Sequence, residues 1–142
     1  MTVFDIGSSG KSAETFFNTL KTSGVKKLID IRLNNTSQLS GFTKKNDFKF
    51  FLKEIIDVEY EHILDFAPTK DILDDFKNKK INWQQYENKY IKLLDDRKIK
   101  EKYKDYNFNN CCFLCSEVKN TNCHRRLLKE YLFNSNDNKI SL

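Results

Sequence analysis

Hydrophobic positions along the chain switch repeatedly between strand-like runs and helical spacing. Residues 2–6, Thr-Val-Phe-Asp-Ile, are apolar and β-prone and end at Gly7-Ser8-Ser9-Gly10, which predicts a buried strand followed by a tight turn. Ser12 is placed to cap a helix, and Glu14 suits its first turn. Ala13, Phe16, Phe17 and Leu20 then recur at helical spacing, and Gly24 closes the segment. Residues 27–31, Lys-Leu-Ile-Asp-Ile, form a second short strand. Strand, helix and strand in such close succession make a βαβ unit with parallel strands.

Residues 32–45 are polar and rich in Asn, Ser and Thr, a long loop of the kind that carries function in compact domains. A second helix presents Phe48, Phe51, Leu52 and Ile55 on one face, and Val58-Glu-Tyr60-Glu-His62 alternates as a third strand. Pro68-Thr69 opens a short helix through Ile72, Leu73 and Phe76. Asn82 precedes a longer one with Trp83, Tyr86, Tyr90, Leu93 and Leu94 inward. Cys111-Cys-Phe-Leu-Cys115 is apolar throughout, as a central parallel strand buried on both faces is. The last helix starts near Asn122 or Cys123 and buries Leu127, Leu128, Tyr131 and Leu132. Residues 135–142 are polar and predict a frayed tail after a domain spanning 1–134.

These elements predict a single three-layer α/β domain. Four mostly parallel strands, in the order 3-2-1-4, carry helices on both faces. A chain of 142 residues suffices for one core but would leave two domains marginal. Composition changes this picture little. Hydrophobic residues make up 39% and charged residues 32%, a globular balance. The net charge of +5 comes from Lys scattered among acids, which solvated helix faces explain as well as a nucleic-acid footprint does. No run of 18 apolar residues exists to span a membrane. The N-terminus lacks the regions of a signal peptide, and the four Cys fall together at 111, 112, 115 and 123. Free thiols in the cytoplasm are therefore expected rather than a disulfide framework.

In parallel sheets, sites form beyond the carboxyl ends of the strands. The unusual polar residues gather at that edge: Gly7, Ser8 and Ser9 after the first strand, Asp30 and Arg32 after the second, and Cys115, Ser116 and Glu117 after the last. Cys123 and His124 begin the following helix, where free backbone N–H groups favour anions and thiolates. Arg125 adds charge there, and Arg32 and Arg125 suit bidentate binding of a phosphate or carboxylate. Glu117 or His124 is the candidate for proton transfer, and Cys115 is either a nucleophile or a pocket wall. Other readings stand beside these. Cys111 and Cys112 read as core, Cys123 as a buried cap, and Asp30–Arg32 as an internal ion pair that orders the loop.

Spacing argues against two familiar chemistries. Thr121 stands where a cysteine phosphatase loop needs Arg after Cys115. A zinc site of Cys112, Cys115, Cys123 and His124 is disfavoured, because Cys112 and Cys115, three apart in an extended run, point to opposite faces and the adjacent Cys123 and His124 make poor joint ligands. No metal site and no cofactor are expected.

Several of these segments together resemble one family. They are Ile6-Gly-Ser-Ser9, Leu28-Ile-Asp-Ile-Arg-Leu-Asn34, Gly41-Phe-Thr-Lys44, Leu114-Cys-Ser-Glu117 and Cys123-His-Arg-Arg126. The chain over nearly its whole length is similar to the family called domain of unknown function 488. Ala67-Pro-Thr-Lys70 and Trp83-Gln-Gln-Tyr-Glu87 look like one subgroup of it. Ser8 stands where many relatives have His, so a catalytic His is unavailable at that position. The resemblance implies that Gly7, Asp30, Arg32, Cys115, Glu117, Cys123, His124 and Arg125 form one site. The function expected is an enzyme acting on an anionic substrate, a nucleotide or nucleic-acid component. The alternatives are a non-catalytic nucleotide- or nucleic-acid-binding module and a structural, partner-binding domain.

Overall fold

In the computed structural model, which describes residues 1–36, 38–116 and 123–142, a five-stranded parallel sheet forms the middle layer. Its strands are β1 (Thr2–Gly7), β2 (Lys27–Asp30), β3 (Glu59–His62), β4 (Cys111–Cys115) and β5 (Asn138–Ser141). The helices are α1 (Ala13–Ser23), α2 (Lys45–Ile56), α3 (Lys70–Lys77), α4 (Trp83–Asp96), α5 (Ile99–Lys102) and α6 (His124–Leu132). Short 3-10 segments cover Gln38–Thr43 and Leu64–Phe66.

Local chemistry starts the helices where the sequence predicts. Ser12 accepts from the Thr15 N–H at 3.1 Å, and Thr69 from the Ile72 N–H at 3.3 Å. Asn82 and Gln85 cap α4 reciprocally, each accepting the other's backbone N–H at 2.8 Å. Gly24 ends α1 in the left-handed region at φ 84°.

The strand order is β3-β2-β4-β1-β5, where the sequence predicts 3-2-1-4. The physical reason is burial. β4 is apolar on both faces and takes the central place between β2 and β1. The expected adjacency of β1 and β4 holds, with Gly7 opposite Cys115. The polar tail does not fray. Residues Asn138–Ser141 pair with β1 from Thr2↔Asn138 to Asp5↔Ser141 and become a short polar edge strand.

Pleating sends β4 side chains alternately to two cores. Cys112 and Leu114 meet Phe4, Ile6, Phe16, Leu20 and Phe48 on one face. Cys111, Phe113 and Cys115 meet Ile31, Phe66, Tyr90, Leu94 and Leu128 on the other. α1 and α2 therefore cover the first face, and α4 and α6 the second. The chain leaves β1 and β4 toward opposite faces, so their carboxyl ends form the switch point of the sheet. Ile55, predicted inward, is exposed on the last turn of α2.

Candidate functional site

Two buried charge clusters flank the carboxyl edge. The first is built around β2. Asp30 receives two hydrogen bonds from the guanidinium of Arg32, Nε to Oδ1 at 2.8 Å and Nη2 to Oδ2 at 2.7 Å. Arg32 also donates through Nη1 to Thr43 Oγ1 at 2.9 Å and through Nη2 to the Thr43 carbonyl at 2.7 Å. The Tyr60 hydroxyl donates to Asp30 Oδ2 at 2.7 Å, and Asn35 donates to that hydroxyl at 2.9 Å. Asp30 and Arg32 are both almost fully buried. The pair thus fastens the start of the 32–45 loop to its end, the internal ion-pair arrangement weighed from sequence. Most of the Arg32 fork faces protein.

The second cluster sits on the opposite side of β4. Asp5, buried on β1, accepts from Arg125 Nε at 2.9 Å and from Ser141 Oγ at 2.9 Å. Lys129, one turn beyond Arg125 on α6, pairs with the same carboxylate. Arg125 Nη1 reaches past Asp5 and donates to Cys115 Sγ at 3.0 Å. Among the described residues, every buried side-chain nitrogen and oxygen has a hydrogen-bond partner.

The Cys123 thiol hydrogen-bonds to the Cys115 sulfur. That bond and burial push its pKa far above the ordinary thiol range. His124 donates from Nε2 to the Ile31 carbonyl at 2.9 Å, which leaves Nδ1 facing Cys123 Sγ at 3.9 Å. Burial lowers the His124 pKa to about 4, with the Arg125 charge adding to the effect. The imidazole is therefore neutral at neutral pH. Cys111 and Cys112 lie deeper in the sheet, where burial pushes the Cys111 pKa up to about 11 and that of Cys112 well above the usual value. All four cysteines are free thiols.

A cavity of about 680 Å3 opens between the ends of β2 and β4 and the helices α3 and α4. Cys115, Ser116, Cys123 and His124 line its inner end, with Arg32, Leu33 and Asn34 beside them. Its outer wall carries Phe76, Trp83 and Tyr86, with Lys70 and Lys77 at the rim. Trp83 lies stacked on Tyr86 at 4.8 Å between ring centroids, with their planes 18° apart. Among the described residues, no three His, Cys, Asp or Glu side chains are placed to hold a metal ion.

Of the residues singled out in the sequence, Arg32, Cys115, Cys123 and His124 reach this cavity, and Asp30 and Arg125 stand behind it as supports. Gly7, Ser8 and Ser9 are not among its lining residues. Ser8 and Ser9 donate backbone N–H groups to the carbonyls of Cys115 and Ser116 at 3.1 and 3.0 Å, extending the ladder beyond β4. The Gly7 carbonyl accepts from Lys11 Nζ at 2.8 Å. Glu117 lies outside the described residues. Sequence reasoning missed Asp5 and Lys129. The available signals were a lone acid inside an apolar strand, and a lysine four residues after Arg125 on the inward face of α6. It also assigned Trp83 and Tyr86 to the core alone.

The fold and this edge define a doubly wound α/β domain with a paired-thiol cavity at the carboxyl end of its central strand. The chain belongs to the family described as Domain of unknown function DUF488, whose model matches residues 12–132, from the α1 cap to the end of α6. Comparison with curated proteins and with solved structures gives no match. No helix among the described residues is long and apolar enough to cross a membrane.

Proposed function

We propose that the protein is an enzyme that binds a small anionic, ring-bearing ligand of the nucleotide class in this cavity and acts on it with the sulfur of Cys115. One observation carries the reading: a single cavity joins an aromatic wall, a basic rim and a cysteine sulfur that receives a guanidinium N–H. Trp83, half-buried and backed by the buried Tyr86 stacked on it, offers a face on which a planar base stacks. Lys77 supplies positive charge at the mouth for a phosphate, beside Lys70, which pairs with Asp74 of the same lining. A cation donating to sulfur favours the thiolate, the nucleophilic form. Four free cysteines suit a reducing, cytoplasmic setting.

A small ligand fits better than a polynucleotide, because much of the lysine excess is neutralised locally. Lys53–Asp57, Lys70–Asp74 and Lys92–Asp96 are ion pairs one helical turn apart, and Lys102 pairs with Asp65. In this reading Arg32 shapes the wall rather than gripping the anion.

Trp83 is the only tryptophan in the sequence, so its fluorescence reports the cavity directly. Titration with nucleoside mono-, di- and triphosphates is expected to change Trp83 emission saturably, and the parent nucleosides to bind more weakly. Emission unchanged by every nucleotide would overturn the proposal.

A further inference from the structure

We propose that Cys115 and Cys123 form a dithiol pair that exchanges with low-molecular-weight disulfides, Cys115 attacking and Cys123 resolving. The inference rests on the reading of Cys115 as the reacting sulfur of the site, and not on which ligand the cavity holds.

Three observations carry it. The two thiols line the inner end of the same cavity, so a disulfide entering it meets both. They come from different elements, the end of β4 and the residue that begins α6, and they already touch through the hydrogen bond from Cys123 to Cys115. Their environments differ in the sense the chemistry needs. Arg125 donates to Cys115 at 3.0 Å, whereas Cys123 keeps its proton and faces the neutral ring of His124. The attacking sulfur is thus the one that faces a buried cation, and the resolving sulfur the one that donates its proton.

The Cys115 thiolate attacks one sulfur of the small disulfide, breaking its S–S bond and expelling one thiolate. Cys123 then attacks the Cys115 sulfur of the mixed disulfide. Its proton leaves with the second small thiol, and the Cys115–Cys123 bond forms. The small disulfide gains two electrons and becomes two thiol equivalents, and the pair supplies those electrons. Excess small thiol reverses the reaction. While the bond persists, Cys115 cannot act on any other ligand.

The test uses the full chain with oxidised glutathione as the probe and no nucleotide present. After treatment and alkylation of remaining thiols, peptide mapping of the wild-type protein is expected to find Cys115 joined to Cys123, with Cys111 and Cys112 alkylated only after denaturation. Cys123→Ser is expected to stop at a single glutathione on Cys115, and reduction to remove it. Wild-type protein with no Cys115–Cys123 linkage at any glutathione ratio would overturn the proposal, as would glutathione attached first to Cys123. The wild-type mapping needs no variant to fold. A chain that changes Trp83 emission with nucleotide yet never forms the linkage loses this inference alone.

Discussion

Arg125 bridges two strands of the sheet, donating through Nε to Asp5 on β1 and through Nη1 to the sulfur of Cys115 at the end of β4. The arrangement places a buried cation against a thiol at the carboxyl edge, where the chain leaves two adjacent parallel strands toward opposite faces of the sheet. Lys129 shares Asp5 from the next turn of the same helix. The carboxylate anchors both cations, and one of them is aimed at sulfur.

Replacement of Arg125 by Lys keeps a positive charge beside Asp5 but loses the fork that reaches two partners at once. Alkylation of Cys115 by iodoacetamide at neutral pH is expected to slow by about tenfold, and the pH midpoint of its rate to rise. The check is the rate against pH for wild type and variant. Identical profiles would remove Arg125 from the chemistry.

Asp5→Asn removes the carboxylate common to Arg125 and Lys129 and leaves both buried cations without it. Breaking a buried pair from one side costs roughly 3–5 kcal/mol. Urea unfolding is expected to show a loss of that order. Ser141→Ala removes the hydroxyl that donates to the same carboxylate and is expected to cost about 1.5 kcal/mol. A loss equal to that of Asp5→Asn would contradict the ranking.

Arg32 and Lys77 are expected to separate stability from binding. Arg32→Ala leaves Asp30 buried without its bidentate partner and is expected to destabilise the fold by about 3–5 kcal/mol. Lys77→Ala, at the exposed rim, is expected to change stability by less than about 0.5 kcal/mol while weakening nucleotide binding at Trp83. Thermal unfolding and the Trp83 titration, run on both variants, decide it.

His124 makes stability depend on pH. Its imidazole titrates near 4 in the folded chain, against about 6.5 when unfolded. Above pH 6.5 neither state is protonated there, so the group adds no pH dependence. As pH falls from about 6.5 to about 4, only the unfolded chain takes up the proton, and up to about 3 kcal/mol of stability is lost. His124→Gln is expected to remove this component. The check is urea unfolding of both proteins at pH 7 and pH 4.5, and equal losses in the two would contradict the assignment.

Much of the architecture is legible in the chain because local signals and burial agree. Ser12, Thr69 and Asn82 cap helices as their positions imply, and Cys111–Cys115 is central because it has no polar face. Strand order is less legible. β1 reads as the natural centre beside β2, yet β4 is inserted between them, and a connection of any hand or length leaves the same apolar pattern in sequence. β5 carries a single apolar residue, Ile140, in a polar tail, and its pairing depends on contacts with Asp5 made across the whole chain. The site was legible as a set of residues at one edge but not as a wiring diagram. Arg32 and Arg125 look alike in sequence. Only their partners, Asp30 and Thr43 for one and Asp5 and Cys115 for the other, make the first a loop fastener and the second a neighbour of sulfur.

The most direct test of the central claim, that Cys115 and the aromatic wall belong to one ligand site, is protection of Cys115 from alkylation by nucleotide. The account predicts that Cys115 is the fastest of the four thiols to react. It also predicts that nucleotide slows this reaction saturably, with the same midpoint that Trp83 emission reports. An alkylation rate that stays constant while Trp83 saturates would place the ligand away from the sulfur and contradict the account.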